Sequence, residues 1–175
     1  KRVGIYTAGG SWGVVATDAC VANGLDVVDL PREVVEEIDK LLPPRWSKAN
    51  PVDSAGDRNW DNIRKVPEVL LKSDAVDALL LLGFVGASSW YIKFSEDIPE
   101  AAKSMVERDE ANIEAMVRWR KEYPKPIIVA TFSEEERLLL RLRERGIFAY
   151  PTPERAAKVL AKLVEYKQFL EKLGS

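Results

Sequence analysis

Val3-Gly4-Ile5-Tyr6-Thr7-Ala8-Gly9-Gly10-Ser11-Trp12-Gly13 decides how the rest of this chain is read. A short apolar, β-branched run that stops on a glycine pair reads as a buried strand leaving a sheet. From Trp12 to Ala22, the apolar Val14, Val15, Ala19 and Ala22 recur at helical spacing, and Asn23-Gly24 supplies a left-handed helix end. Strand, tight turn and helix in that order open a βαβ unit.

The same alternation continues outward. Leu25 to Leu30 predicts a second strand, and Pro31 opens a helix with Val34, Val35, Ile38, Leu41 and Leu42 on one face. From Leu42-Pro43-Pro44 to Gly56-Asp57 the chain is irregular, because Pro43, Pro44 and Pro51 discourage helix. A helix through Trp60, Ile63, Val66, Val69 and Leu70 follows, with Pro67 inside it. Val76 to Leu82 is the most hydrophobic run, as a central parallel strand requires. Gly83-Phe84-Val85-Gly86-Ala87-Ser88-Ser89 leaves that strand as a second loop of small residues. A long helix over about 99–123 is expected to turn Ala102, Met105, Val106, Ile113, Met116 and Val117 inward. The strand at 127–130, a helix starting at Ser133-Glu134-Glu135-Glu136 and ending at Gly146, and the strand at 147–150 come next. Thr152 caps a last helix with Pro153 at its first position and Ala156, Val159, Leu160, Leu163 and Leu170 on one side.

Five strands alternating with helices predict an α/β fold: a five-stranded parallel sheet in three αβα layers, in the flavodoxin-like order 2-1-3-4-5. In that order the loops after the first and third strands lie side by side at the switch point, where such folds bind ligands. The two small-residue loops fall at those two places.

Composition narrows the chemistry. With 175 residues, 46% hydrophobic and 31% charged, the chain suits one domain (1–175) with a full core. It begins directly at a strand, which sets the expectation of a domain excised from a longer chain. A net charge of −2 gives no basic stripe for nucleic acid, and no apolar run approaches a membrane span. A single cysteine, Cys20, excludes an internal disulfide and fits a reducing, cytoplasmic setting. The chain has no histidine, so it supplies no His-based triad, imidazole metal ligand or phosphohistidine.

The first turn admits two readings. Gly9, Gly10 and Gly13 bring backbone N–H groups towards an anion at a helix start, with Ser11 adding a hydroxyl. Alternatively, a tight turn needs glycine whatever binds there. The turn is neither GxGxxG nor a Walker A loop. Trp12 suits a ligand cover or a partner surface. Asp53 and Asp57 fit Asx-turns and a cap for the helix from Arg58 better than a metal site. Cys20, Trp60, Trp90 and Trp119 read as core or interface residues, and the charges at Glu134 to Glu136 and Arg141 to Arg145 as solvated helix faces.

Several segments taken together are similar to one family. They are Thr7-Ala8-Gly9-Gly10-Ser11-Trp12-Gly13-Val14-Val15-Ala16-Thr17-Asp18-Ala19-Cys20, Gly24-Leu25, Leu42-Pro43-Pro44, Asn50-Pro51-Val52-Asp53 with Gly56-Asp57, and Tyr150-Pro151-Thr152-Pro153-Glu154-Arg155-Ala156-Ala157. In order and extent they resemble the last α-subunit domain of the NDP-forming acyl-CoA synthetases, the group of ADP-forming acetate–CoA ligases and succinyl-CoA synthetase. The resemblance implies a ligase reaction in which acyl-CoA, ADP and phosphate give acid, CoA and ATP through an acyl phosphate and a phosphohistidine. It implies an oligomeric enzyme using CoA, ATP/ADP and Mg, bound mainly by other domains, with none tightly bound here. Its partners would be CoA-binding and phosphohistidine-bearing domains of the same chain and an ATP-grasp subunit or domain, with no catalytic residue on this domain.

By the same resemblance, Gly9, Gly10, Ser11, Trp12 and Gly13 face the phosphohistidine, and Gly83, Gly86, Ala87 and Ser88 line the acid side. The family's first turn commonly reads Gly-Gly-Pro-Gly, and Ser11-Trp12 makes this one a residue longer. A regulatory synthetase-like module, as in certain lysine acetyltransferases, is the alternative; a flavin-binding flavodoxin is a more distant one.

Overall fold

β1 (Arg2–Thr7) is the axis of a parallel sheet. The computed structural model describes residues 1–92, 96, 99–133 and 135–173; Glu134 and the Trp90 side chain, both singled out above, lie outside the described set. With β2 (Asp26–Val27), β4 (Ala78–Leu82), β5 (Ile127–Ala130) and β6 (Phe148–Tyr150) it has the expected order, β2-β1-β4-β5-β6. The helices are α1 (Gly10–Ala22), α2 (Arg32–Asp39), α3 (Trp60–Lys72), α4 (Ala87–Ile92), α5 (Pro99–Glu122), α6 (Glu136–Glu144) and α7 (Pro153–Leu173).

Among the described residues the sheet has six strands where five were expected. The extra one, β3 (Val52–Asp53), comes from the stretch read as irregular and pairs with the upper half of β1, Tyr6 to Val52 and Thr7 to Asp53. β2 covers only the lower half, Arg2 and Val3. Two residues are too few to carry a periodic pattern. Between the two short strands, β1 is completed by a side chain. Asn50 Oδ1 accepts from the Ile5 N–H at 2.9 Å, and its Nδ2 donates to Val3 O at 2.8 Å and Val28 O at 2.9 Å. Buried backbone groups must be paired, and here an amide side chain substitutes for a missing strand. Asn50→Ala is therefore expected to cost about 2 kcal/mol, read as a lower urea midpoint. An unchanged midpoint would show that Asn50 does not complete the ladder.

Side chains of β4 alternate between two cores. Leu79 and Leu81 face Ile38, Leu70, Ile113, Met116 and Trp119 from α2, α3 and α5. Leu80 and Leu82 face Ala16, Cys20, Ala156, Ala157 and Leu160 from α1 and α7. These are the expected three layers. Cys20 is fully buried, and that burial pushes its thiol up to about 11.

Three helix faces differ from expectation. α1 buries Gly13, Ala16, Ala19 and Cys20, whereas Val14 is 62% exposed and Val15 and Ala22 also face outward. Small residues let α1 approach the alanines of α7 closely, so the larger valines are left outside. α7 buries Ala156, Ala157, Leu160 and Ala161, and exposes Leu163 and Leu170. α5 buries Asp109 and Asn112 among its apolar residues and turns Val106 to solvent. The cap of α3 is Asn59, whose side chain accepts from the Asn62 N–H, one residue after the expected start.

Candidate functional site

The loops after β1 and β4 meet, as the strand order requires. Ala8 N–H donates to Leu82 O at 3.1 Å, and a Cβ placed on Gly83 would lie 3.4 Å from the Ala8 Cβ. Thr7 Oγ1 donates to Gly9 O at 2.6 Å, tying the first turn back on itself.

The three glycines of that turn have three different surroundings. Gly13 packs against Pro51 and Thr7, each within 3.2 Å of an added Cβ, and so serves close helix–strand contact. At Gly10 an added Cβ would lie 3.0 Å from Asp53 Oδ2. Gly9 is extended at φ −162°, and among the described residues nothing lies within 4 Å of an added Cβ, so neither backbone conformation nor crowding by them requires glycine there. Ala8, Gly9, Gly10 and Ser11 are exposed, and no acidic side chain occupies the first turn of α1. Trp12 is half-buried, with its ring edge-on to Phe132 at 6.0 Å. Phe132, from the loop after β5, is 52% exposed, so an aromatic pair flanks the helix start on the surface.

The second loop is held from behind. Gly86 N–H and Ser88 N–H both donate to Asp109 Oδ2 at 3.0 Å, and Asn112 Nδ2 donates to Phe84 O at 2.6 Å. Gly86 and Ser88 are buried, whereas Gly83 and Ala87 are half-exposed and line a cavity. α4, which follows, replaces part of the loop read at 83–89.

That cavity, about 470 Å³, lies between the first turn, the start of α3 and the inner face of α5. Tyr6, Ile63, Phe84 and Met105 give it apolar walls, and Arg58, Asp57, Arg108 and Asn112 add polar groups. The Arg108 guanidinium lies 4.7 Å over the Trp60 ring and pairs through Nη2 with Asp109 Oδ1 at 3.1 Å. Burial pushes the Tyr6 phenol up to about 12, against the opposing pull of a hydrogen bond with Ser54 and the Arg108 charge.

Arg108, Asp109 and Asn112 were not singled out from the sequence. The available signal was two polar residues, 109 and 112, falling on the inward stripe that runs through Ala102, Met105, Ile113, Met116 and Trp119. Asp53 and Asp57 make local turns as expected: Asp53 Oδ1 accepts from Ala55 N–H, and Asp57 Oδ1 from Arg58 and Asn59 N–H. Among the described residues no three His, Cys, Asp or Glu side chains converge as metal ligands, and no helix is long and apolar enough to cross a membrane.

The Ligase-CoA domain profile matches residues 3–167, and the chain belongs to that family. It is 30% identical over 173 residues to the α subunit of acetate–CoA ligase [ADP-forming] I from Pyrococcus furiosus, covering 98% of this chain and 34% of that protein. It is 29% identical over 169 residues to an acetate–CoA ligase [ADP-forming] from Methanocaldococcus jannaschii, covering 95% of this chain and 22% of that protein. Among solved structures, a dinucleotide-forming acetyl-coenzyme A synthetase 1 from Ca. Korarchaeum cryptofilum, in complex with phosphate and ADP, superposes with a TM-score of 0.73 at 29% identity. That match covers 95% of this chain and 33% of that one. The chain thus spans between a fifth and about a third of the length of these relatives.

Proposed function

We propose that this chain is one domain of an ADP-forming acyl-CoA synthetase, within which it positions a phosphoryl group carried by another domain. The whole enzyme converts acyl-CoA, ADP and phosphate to a carboxylic acid, ATP and CoA. An acyl phosphate and a phosphohistidine are the intermediates, and the histidine belongs to a neighbouring domain, since this sequence has none. CoA, nucleotide and Mg bind mainly to other domains, among them a CoA-binding domain and an ATP-grasp domain or subunit, in the cytoplasm.

Gly9 is the observation that carries the role of this domain. Among the described residues nothing crowds Gly9, the N-cap of α1, so its bare backbone leaves room for a group from outside the chain. The N-terminal end of α1 bears the positive end of the helix dipole; its first turn carries no acidic side chain of its own, and the nearby Asp53 carboxylate belongs to β3. Such an end stabilises an anion by about 0.3–1 kcal/mol, and up to about 2 when partly buried. Gly10, Ser11 and Trp12 would form that edge, with Gly13 holding the helix against β1. Gly83, Gly86, Ala87 and Ser88 belong to the facing loop on the acid side. Of these, Gly83 and Ala87 meet the cavity, and Gly86 and Ser88 spend their N–H groups on Asp109. The chemistry needs no nucleophile here; fixed dipoles do the work.

The test joins the complete polypeptide to its nucleotide-binding partner and measures ATP formed from acetyl-CoA, ADP and phosphate. ATP formation supports the reading, and its absence removes it in favour of a regulatory synthetase-like module. Gly10→Val should then lower phosphoryl transfer on the order of ten-fold, since its side chain displaces Asp53 and covers the helix start. The circular dichroism of the domain should not change. Unaltered transfer would return the turn to a purely structural role.

A further inference from the structure

The second half of α7 carries an apolar stripe that no described element covers. Pro153, Ala156, Ala157, Leu160 and Ala161 hold the helix on the sheet, whereas residues 165–173 are exposed throughout. Along this overhang Leu163, Tyr166, Phe169, Leu170 and Leu173 are 43–68% exposed. At about 100° per residue these five fall within a sector about 120° wide, turned away from the buried alanines of the same helix. Such a patch, on the order of 500 Å², is at the upper end of what a soluble chain leaves uncovered, and patches of that size mark contacts with another molecule.

We infer that the stripe is one half of a twofold interface, in which α7 of one copy packs antiparallel on α7 of a second copy of this chain. Two properties select a second copy over any other occupant. The first is that the pattern closes on itself. In a twofold antiparallel pair, residues equally far from the centre in opposite directions face one another. About a centre at residues 168–169, Leu163 meets Leu173 of the second copy, Tyr166 meets Leu170, and Phe169 meets its own equivalent. The charges bordering the stripe obey the same rule. Glu165 and Lys172 lie along one border, and Lys167 and Glu171 along the other. Across the twofold, Glu165 falls opposite Lys172 and Lys167 opposite Glu171, so both borders close on opposite charges. Within one copy Lys167 Nζ lies 3.8 Å from Glu171 Oε1, longer than a hydrogen bond, so each keeps bonding capacity for the second copy. A parallel pair would instead set Lys162 against Lys167.

The second property is area. A stable interface covers about 800 Å² on each side. The apolar stripe supplies more than half of that, and the stems of the bordering lysines and glutamates supply the remainder. Aromatic and leucine anchors inside a charged rim are the anatomy of a specific interface.

This inference does not rest on the proposed function. It is tested on the complete polypeptide by sedimentation equilibrium. Self-association is expected, and Leu170→Glu should weaken it about a hundred-fold, because the new carboxylate is buried in both copies. Leu170 is half-exposed within one copy, so circular dichroism should not change. Lys167→Glu and Glu171→Lys each set like charges across the twofold and should weaken association about ten-fold. An equal mixture of these two variants should recover it, since every facing pair is then of opposite sign. A charge effect confined to one helix would not be relieved by mixing. A monomeric wild type overturns the inference and gives the stripe to another domain of the same polypeptide. Wild-type association in folded Leu170→Glu also overturns it, as does a mixture that associates no better than its two components.

Discussion

Gly86→Val is expected to cost 4 kcal/mol or more, roughly, since backbone strain and core overlap add. Gly86 has φ +107°, a region that residues with a Cβ adopt only under strain. Space is also lacking: an added Cβ would overlap Thr131 Oγ1 and lie 2.9 Å from the Ser133 Cβ. Neither neighbour can retreat easily. Thr131 is fully buried and its hydroxyl donates to Val85 O at 2.7 Å, and Ser133 is 4% exposed. With a slope of about 2 kcal/mol per molar urea, the midpoint should fall by about 2 M. Gly83→Ala is the control. Its φ is also positive, at +66°, but its Cβ would meet only ordinary contacts, so about 1 kcal/mol is expected. Equal losses in the two variants would show that overlap with Thr131 contributes nothing.

Asp109→Ala is expected to cost about 3–5 kcal/mol, the usual penalty for removing one partner of a buried ion pair. Three groups lose their acceptor at once: the N–H groups of Gly86 and Ser88, and the Arg108 guanidinium. Asp109→Asn keeps an amide oxygen for the two N–H groups but cannot offset the arginine, so an intermediate loss of about 1–3 kcal/mol should follow. Urea unfolding separates the two variants. If both matched wild type, the loop after β4 would not depend on this carboxylate.

Much of the architecture is legible in the sequence because its signals are long. The fully apolar β4, the long α5 and the proline at the start of α7 each span or punctuate enough residues to set a period. Where the signal is short or lacks contrast, reading fails. β3 has two residues and is supported by Asn50, whose role as a strand substitute is invisible until β1 and β2 are adjacent. α1 is apolar on nearly every side, so Val14 and Val15 read as inward although the smaller Gly13 and Ala16 occupy the tight contact. α7 reverses the same error, continuing an apolar stripe through Leu163 and Leu170 beyond the sheet that covers its first half.

The candidate site divides similarly. The first turn and the facing loop stand out through glycine. The α5 residues stand out only through being polar on an apolar face, which a search for hydrophobic periodicity discards. Their partners, Phe84, Gly86 and Ser88, are more than twenty residues away in sequence, so no local spacing announces them.

That arrangement on α5 bears on how such a domain diversifies. Met105 touches the cavity without bracing the loop, whereas Arg108 touches the cavity and also offsets the carboxylate that does the bracing. Mutational drift at 105 therefore reshapes the cavity at small cost to the fold. Drift at 108 disturbs the loop together with the charge. In a lineage built on this scaffold, the shape of the cavity is free to vary while the charge on its wall is held fixed by architecture.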